Sequence, residues 1–298
     1  MGLPNFPIWM GKGVGGLIGE TPLVCGGYIR QKTEDVYDMI EGEVVTDSCY
    51  VLKDRKWTKS STSLHSKGAS FGTGSVVADG KLLISGGIDH SMGFYNDVHL
   101  NQKYWINEDT KSSPQSMPDS VFGHCNVLIN DTHYLQTGGL HNEEYVGDVL
   151  KYTFFHNIKT GQWSEGKNMR MARYEHGCSQ VTIGGKQIII IAGGRTLRDS
   201  SYATDTVEYL KMDDLEEGWI KGEKRLPFQR YGLRMVTSFD MMKTYIIGWP
   251  HILVLVCDQP TPEKCYFESN PEGGQLMKER SYHIAFAIPD SLANKLCD

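Results

Sequence analysis

Between Arg173 and Trp219 the chain alternates short apolar runs with glycine-rich or polar breaks. Cys178-Ser-Gln-Val-Thr-Ile183 ends in a tight Gly184-Gly185 turn. The run Ile188-Ile-Ile-Ile191-Ala-Gly193-Gly194 follows and, after a polar loop, Asp205-Thr-Val207-Glu-Tyr209-Leu and Trp219. Runs rich in β-branched residues and bounded by Gly or polar clusters read as strands, so this stretch predicts a four-stranded meander. Such a sheet has too little core to stand alone and must bury both faces against copies of itself.

Copies are present. The doublet Gly193-Gly194 recurs as Gly26-Gly27 in PLVCGG, Gly86-Gly87 in LLISGG and Gly138-Gly139 in YLQTGG, each behind an apolar run. A decayed copy, YIIGW, carries Gly248-Trp249, with Gly248 taken as the second glycine. The interval is about 50 to 60 residues, and Trp57, Trp105, Trp163 and Trp219 trail the doublets.

A period of this size with an apolar strand, Gly-Gly and a later aromatic resembles the kelch repeat, whose units form the blades of a β-propeller. The resemblance covers Gly11 to Ile288. It implies an all-β, kelch-type β-propeller with one propeller domain over 11–298 and an N-terminal segment over 1–10. Blades are expected near 11–60, 67–115, 121–166, 173–224 and 230–270, with a partial blade at 280–298 because Arg280-Ser-Tyr-His283 repeats the Arg-x-x-His that opens blade four. The expected ring is six-bladed with an incomplete last blade, and five blades plus a tail is the second option.

Composition narrows function only by exclusion. Thirty basic against thirty-six acidic residues give a net charge of −6, which does not fit a general nucleic-acid or anionic-membrane binder. The longest apolar stretch, 245–257, is interrupted by Pro250 and His251 and is too short to span a bilayer. Residues 1–10 lack the basic and apolar regions of a secretory leader.

Seven cysteines are present. Cys25 and Cys49 fall where an antiparallel pair can bring them together, and Cys257 and Cys265 flank a short inter-strand loop. These two pairs are candidate disulfides and lean toward an oxidising, extracellular compartment, with the cytoplasm as the alternative. Cys125 and Cys178, at matching places on inner strands, read as packing residues, and Cys297 is left over. Asn130-Asp-Thr132 is a glycosylation sequon on an expected turn.

His124, His176 and His283 share one repeat position. They are read as filling one packing slot rather than as metal ligands, and no metal, cofactor or catalytic motif is assigned. Arginines make the sharper case. The kelch resemblance implies that Arg173, Arg230 and Arg280, at the start of inner strands, ring one mouth of the channel and contact peptide partners. Lys67 and Val121 stand at that place in blades two and three. The competing reading bonds these arginines to carbonyls between blades. Arg195, in the loop after a doublet, adds to the same mouth, on which loops are a reasonable place for binding. The candidate binding set is therefore Lys67, His124, Arg173, His176, Arg195, Arg230, Arg280 and His283.

Two function classes follow. One is a non-enzymatic interaction module presenting a partly basic mouth to a protein, an acidic peptide or a glycan. The other is an enzyme, since the propeller also resembles galactose oxidase and the kelch-type sialic acid epimerases, for which Glu175 beside Arg173 and His176 is the one acid/base cluster available. An extracellular structural protein is a third possibility.

Overall fold

The computed structural model describes residues 4, 6–7, 10–30, 43–65, 74–89, 98–141, 148–197, 202–248, 251–270 and 283–296. Five antiparallel sheets make the chain an all-β propeller with five blades. The order within each follows the sequence, as expected when consecutive strands are joined by short turns. The chain divides into two compact units, 1–120 with 288–298, and 121–287.

In the first unit, blade one comprises Val14–Ile18, Thr21–Arg30, Glu43–Lys53 and Lys56–Ser63, with Met10–Gly11 paired to the far part of the second strand. Blade two comprises Gly74–Ala78, Lys81–Ser85, Gln102–Ile106 and Gln115–Ser116. Trp105 thus lies on the third strand of blade two, whereas Trp57, Trp163 and Trp219 lie on fourth strands. Leu23, Leu64, Leu82, Ile84 and Ile106 form the shared core of these two sheets.

The expected partial sixth blade is not found among the described residues. Residues 283–289 carry no strand, and Asp290–Leu296 is an α-helix. Leu292 and Leu296, four residues apart, fall on one helical face and pack with Leu52. In a strand the polar Asn294 would share their face, whereas the helix turns it away and leaves the two leucines together. Five blades, the second option, is the observed count.

In the second unit, blade three comprises Cys125–Asn130, His133–Thr137, Thr153–Asn157 and Trp163–Glu165, and blade four Gly177–Ile183, Lys186–Ala192, Val207–Lys211 and Trp219–Lys221. Blade five comprises Arg234–Thr237, Thr244–Gly248, His251–Val256 and Tyr266–Ser269. The isoleucine run of blade four is buried on both faces: Ile188 and Ile190 join the core shared with blade five, while Ile189 and Ile191 join that shared with blade three. Alternation of side chains along the strand divides the run in this way.

The doublets act as stitches. The N–H of the first glycine donates to the lead-in of its own third strand, Gly138 to Tyr152 and Gly193 to Thr206. The N–H of the second donates to the lead-in of the next blade, Gly139 to Arg173 and Gly194 to Arg230. Gly139 has φ +112° and Gly194 φ +96°, a region closed to other residues, and a Cβ on either would strike the lead-in packed against it. Strand register puts Gly248, which follows Ile247 opposite the inner-strand residue Arg234, at the first-glycine place rather than the second.

Three disulfides are formed. Cys25–Cys49 joins directly paired residues of blade one, with Cα atoms 4.0 Å apart, and Cys257–Cys265 closes a loop of blade five at 4.4 Å. The third, Cys125–Cys178, corrects the packing assignment: it joins the inner strands of blades three and four, 6.1 Å apart at Cα. Register explains it. Cys125 pairs with the residue before Gly138, as Gly177 does with the residue before Gly193, so Cys178 sits one position further along its blade. One step along a strand flips the side chain, and the two thiols face each other across the seam instead of pointing the same way.

Candidate functional site

The lead-ins of blades three, four and five stack through backbone bonds: Glu175 N–H donates to Gly123 O at 2.6 Å and Gly232 N–H to Glu175 O at 2.8 Å. Gly123, Glu175 and Gly232 occupy one repeat position, each two residues before its inner strand. All three adopt left-handed backbone, with φ of +66°, +55° and +64°. Glycine takes this conformation without strain, whereas for glutamate it costs roughly 1 kcal/mol. Blade four therefore holds a strained glutamate where its neighbours hold glycine.

That glutamate meets an arginine. Glu175 Oε2 lies 3.0 Å from Arg195 Nε, with the carboxylate side chain 4% and the arginine side chain 16% exposed. The Arg195 guanidinium carbon also lies over Tyr231, 3.6 Å from the ring centroid, and 5.9 Å from that of Tyr174. The Arg195 backbone is fixed by reciprocal N–H···O bonds with Tyr174, of 2.8 and 3.0 Å. Glu175 thus holds the guanidinium through Nε while Tyr231 packs against it, two contacts that restrain its position. Tyr202 and Leu197, both about half exposed, stand on the same loop, whose ends are tied by Thr196 N–H to Tyr202 O at 3.1 Å. Arg230, half-buried, carries its guanidinium 5.5 Å from the Phe228 ring.

The other sequence candidates divide sharply. Arg173, fully buried, is no mouth residue. Its Nη1 donates to Gly193 O at 2.8 Å and Thr206 O at 3.2 Å, and its Nη2 to Thr206 Oγ1 at 3.0 Å and Glu208 Oε1 at 2.7 Å. Glu208 in turn accepts from the N–H groups of Arg170 and Met171. The carbonyl-bonding alternative thus describes Arg173, with a carboxylate added. His124 and His176 are buried packing residues beside the second glycines of blades three and four. Burial pushes the His124 imidazole down to about 3. Burial first, then the positive charges of Arg173, His124 and Arg234, holds His176 well below the ordinary histidine range, and its Nε2 lies 2.9 Å from Thr137 Oγ1. His283 lies outside any strand, its carbonyl accepting from Arg234 Nε at 3.1 Å. Lys67 and Arg280 lie outside the described residues. Among the described residues no group of three His, Cys, Asp or Glu side chains is placed to hold a metal ion.

Of the candidate set, Arg195, Arg230 and His283 are thus the described residues that are partly exposed. Tyr231 and Tyr202 were not singled out from the sequence. The signal for Glu175 was available: aligning repeats by their doublets places it opposite Gly123 and Gly232.

Compared by sequence, the chain matches no described protein family and no curated protein. Compared by structure, it is similar to YjhT, a propeller, with a TM-score of 0.69 over 95% of this chain and 89% of that one, at 16% identity. The likeness supports the propeller fold. No helix among the described residues is long and apolar enough to cross a membrane.

Proposed function

We propose that this protein is a kelch-type, non-enzymatic binding propeller whose blade-four lead-in receives a carboxylate group of a peptide or glycan partner. The observation that carries the reading is Glu175. A residue at φ +55° where both neighbouring blades have glycine is retained at a cost to stability, and such outliers cluster at binding and catalytic sites. What Glu175 achieves is the orientation of Arg195. A guanidinium fixed before binding loses little entropy on engaging a planar carboxylate, the arrangement in which arginine outperforms lysine. Tyr231, Tyr202 and Leu197 supply apolar area beside it. Three disulfides are compatible with an extracellular partner.

The test is binding of the purified protein to immobilised panels of carboxylate-bearing and matched neutral peptides and glycans. Carboxylate-bearing members are expected to bind, and Arg195→Lys to weaken them by about tenfold or more, since one charge-assisted bidentate contact is lost. Equal binding of neutral members, or an unchanged affinity in Arg195→Lys, overturns the reading.

The buried carboxylate also favours a second reading, in which Glu175 acts as the acid/base group of an epimerase-like propeller. Incubating carboxylate-bearing sugars with the protein and following exchange of their carbon-bound hydrogens with deuterium oxide separates the two. Exchange abolished by Glu175→Gln would establish the enzyme, and no exchange would remove it.

A further inference from the structure

We propose that Asn130 carries an N-linked oligosaccharide, attached at the opposite end of blade three's inner strand from the blade lead-ins. Asn130 is exposed at the turn between the first two strands of that blade, beyond a register shift that takes it out of the regular ladder. Its Oδ1 accepts from Thr132 N–H at 2.9 Å, Thr132 Oγ1 at 2.7 Å and His133 N–H at 3.0 Å. The matching turns of blades one, two and four use left-handed residues, Gly19, Asp79 with Gly80, and Gly184 with Gly185. Blade three has none of these, and the asparagine side chain closes its turn instead.

An aspartate would close the turn equally well, because only the side-chain oxygen is used. Asparagine with a hydroxyl two residues on is what distinguishes this turn, and that combination is the acceptor sequence of N-glycosylation. The three disulfides point to the oxidising compartment in which that modification takes place. The neighbouring surface gives the glycan a place to lie. Leu128, Ile129, Met235 and Met241 help line an adjoining cavity of about 450 Å³. Phe239 and Met242, on the blade-five turn at the same strand end, are both more than half exposed. Hydrated sugar beside these side chains keeps an apolar rim from associating with other molecules.

In the transfer, the Asn130 Nδ2 forms a bond to the anomeric carbon of a lipid-pyrophosphate-linked oligosaccharide. The carbon–oxygen bond to the pyrophosphate breaks, the lipid pyrophosphate leaves with the electron pair, and the displaced amide proton passes to a base of the transferase.

The experiment is to express the chain behind a secretion leader in cultured animal cells and measure its intact mass before and after peptide:N-glycosidase. The expected result is a secreted protein heavier than the bare chain. Glycosidase removes the excess and converts the asparagine at 130 to aspartate in the released peptide. Asn130→Asp separates the two roles of the side chain, since it preserves the turn and its thermal stability while the excess mass disappears. Thr132→Ser keeps the sugar and Thr132→Ala loses it. A secreted wild-type protein with three disulfides and the mass of the bare chain overturns the proposal, as does an excess mass that survives Asn130→Asp.

Discussion

Blades three and four share one backbone scheme and fill it with opposite chemistry. Where blade four has Arg173 bonded to Glu208, the corresponding positions of blade three hold Val121 and Phe154. Where blade four pairs Glu175 with Arg195, blade three holds Gly123 and Leu140. In blade five Arg230 matches Arg173, Leu253 stands at the Glu208 position, and Arg230 is half-buried instead of enclosed. These two positions of the repeat can therefore be filled by apolar side chains or by an ion pair. The two ionic pairs of blade four are not equivalent. Arg173–Glu208 is sealed inside the sheet, where replacement by well-packed apolar groups is often close to neutral. Glu175–Arg195 joins a buried carboxylate on strained backbone to a partly exposed arginine, and it is the pair on which the proposed binding site rests.

The sharpest way to break this comparison is to remove one member of the sealed pair. Glu208→Phe leaves the Arg173 guanidinium buried without its carboxylate and is expected to cost about 3–5 kcal/mol in urea unfolding. Adding Arg173→Val rebuilds the blade-three combination and is expected to recover more than half of that loss. A double variant no better than the single one would show that the two blades are not interchangeable in this way.

The seam between these blades is also covalent. Cys125–Cys178 closes a span of 53 residues, so the Cys125→Ser, Cys178→Ser double variant is expected to lose up to about 4 kcal/mol against denaturant. An unchanged midpoint would mean that the seam is held by packing alone.

Acid sharpens the comparison further, because blades three and four bury a histidine where blade five has Leu233. Both imidazoles have their folded pKa pushed below the ordinary value of about 6.5, so the folded state refuses protons that the unfolded chain accepts. The stability is fully present above about pH 6.5 and is lost as the pH falls below it, for His124 down to about 3, with a slope of about 1.4 kcal/mol per pH unit for each proton the folded state refuses. His124→Leu, copying blade five, should reduce that slope by one proton. Unfolding midpoints measured from pH 7 to pH 4 read it directly.

The smallest stability effect is expected at the proposed binding site. Glu175→Gly gives blade four the backbone residue of its neighbours, relieving roughly 1 kcal/mol of strain while losing a half-buried ion pair of similar size. Stability should change by less than about 1 kcal/mol, while carboxylate binding falls because Arg195 is no longer oriented. A large destabilisation would make Glu175 a structural residue instead.

The alternation of apolar runs, glycine doublets and trailing tryptophans was enough to read a bladed all-β chain, since strand period and turn chemistry are local properties. The cysteine pairs of blades one and five were legible for the same reason: each lies within one blade, on or beside consecutive strands. The sequence itself also contained the Glu175 anomaly, once Gly123 and Gly232 are aligned with it. Other features depended on relations between blades that no single repeat contains. Arg173 and Arg230 look alike in sequence, but Arg173 meets Glu208 and is enclosed, whereas Leu253 stands at that position in blade five and Arg230 is half-buried. Cys125 and Cys178 seem to share a place until register sets them one residue apart and turns them toward each other. The blade count turned on the C-terminal segment, where Leu292 and Leu296 take a helix against Leu52 instead of adding a strand. Local pattern fixes which segments become strands, because it depends on neighbours along the chain. Which side chains meet depends on how sheets are stacked, and that is decided only when the blades pack.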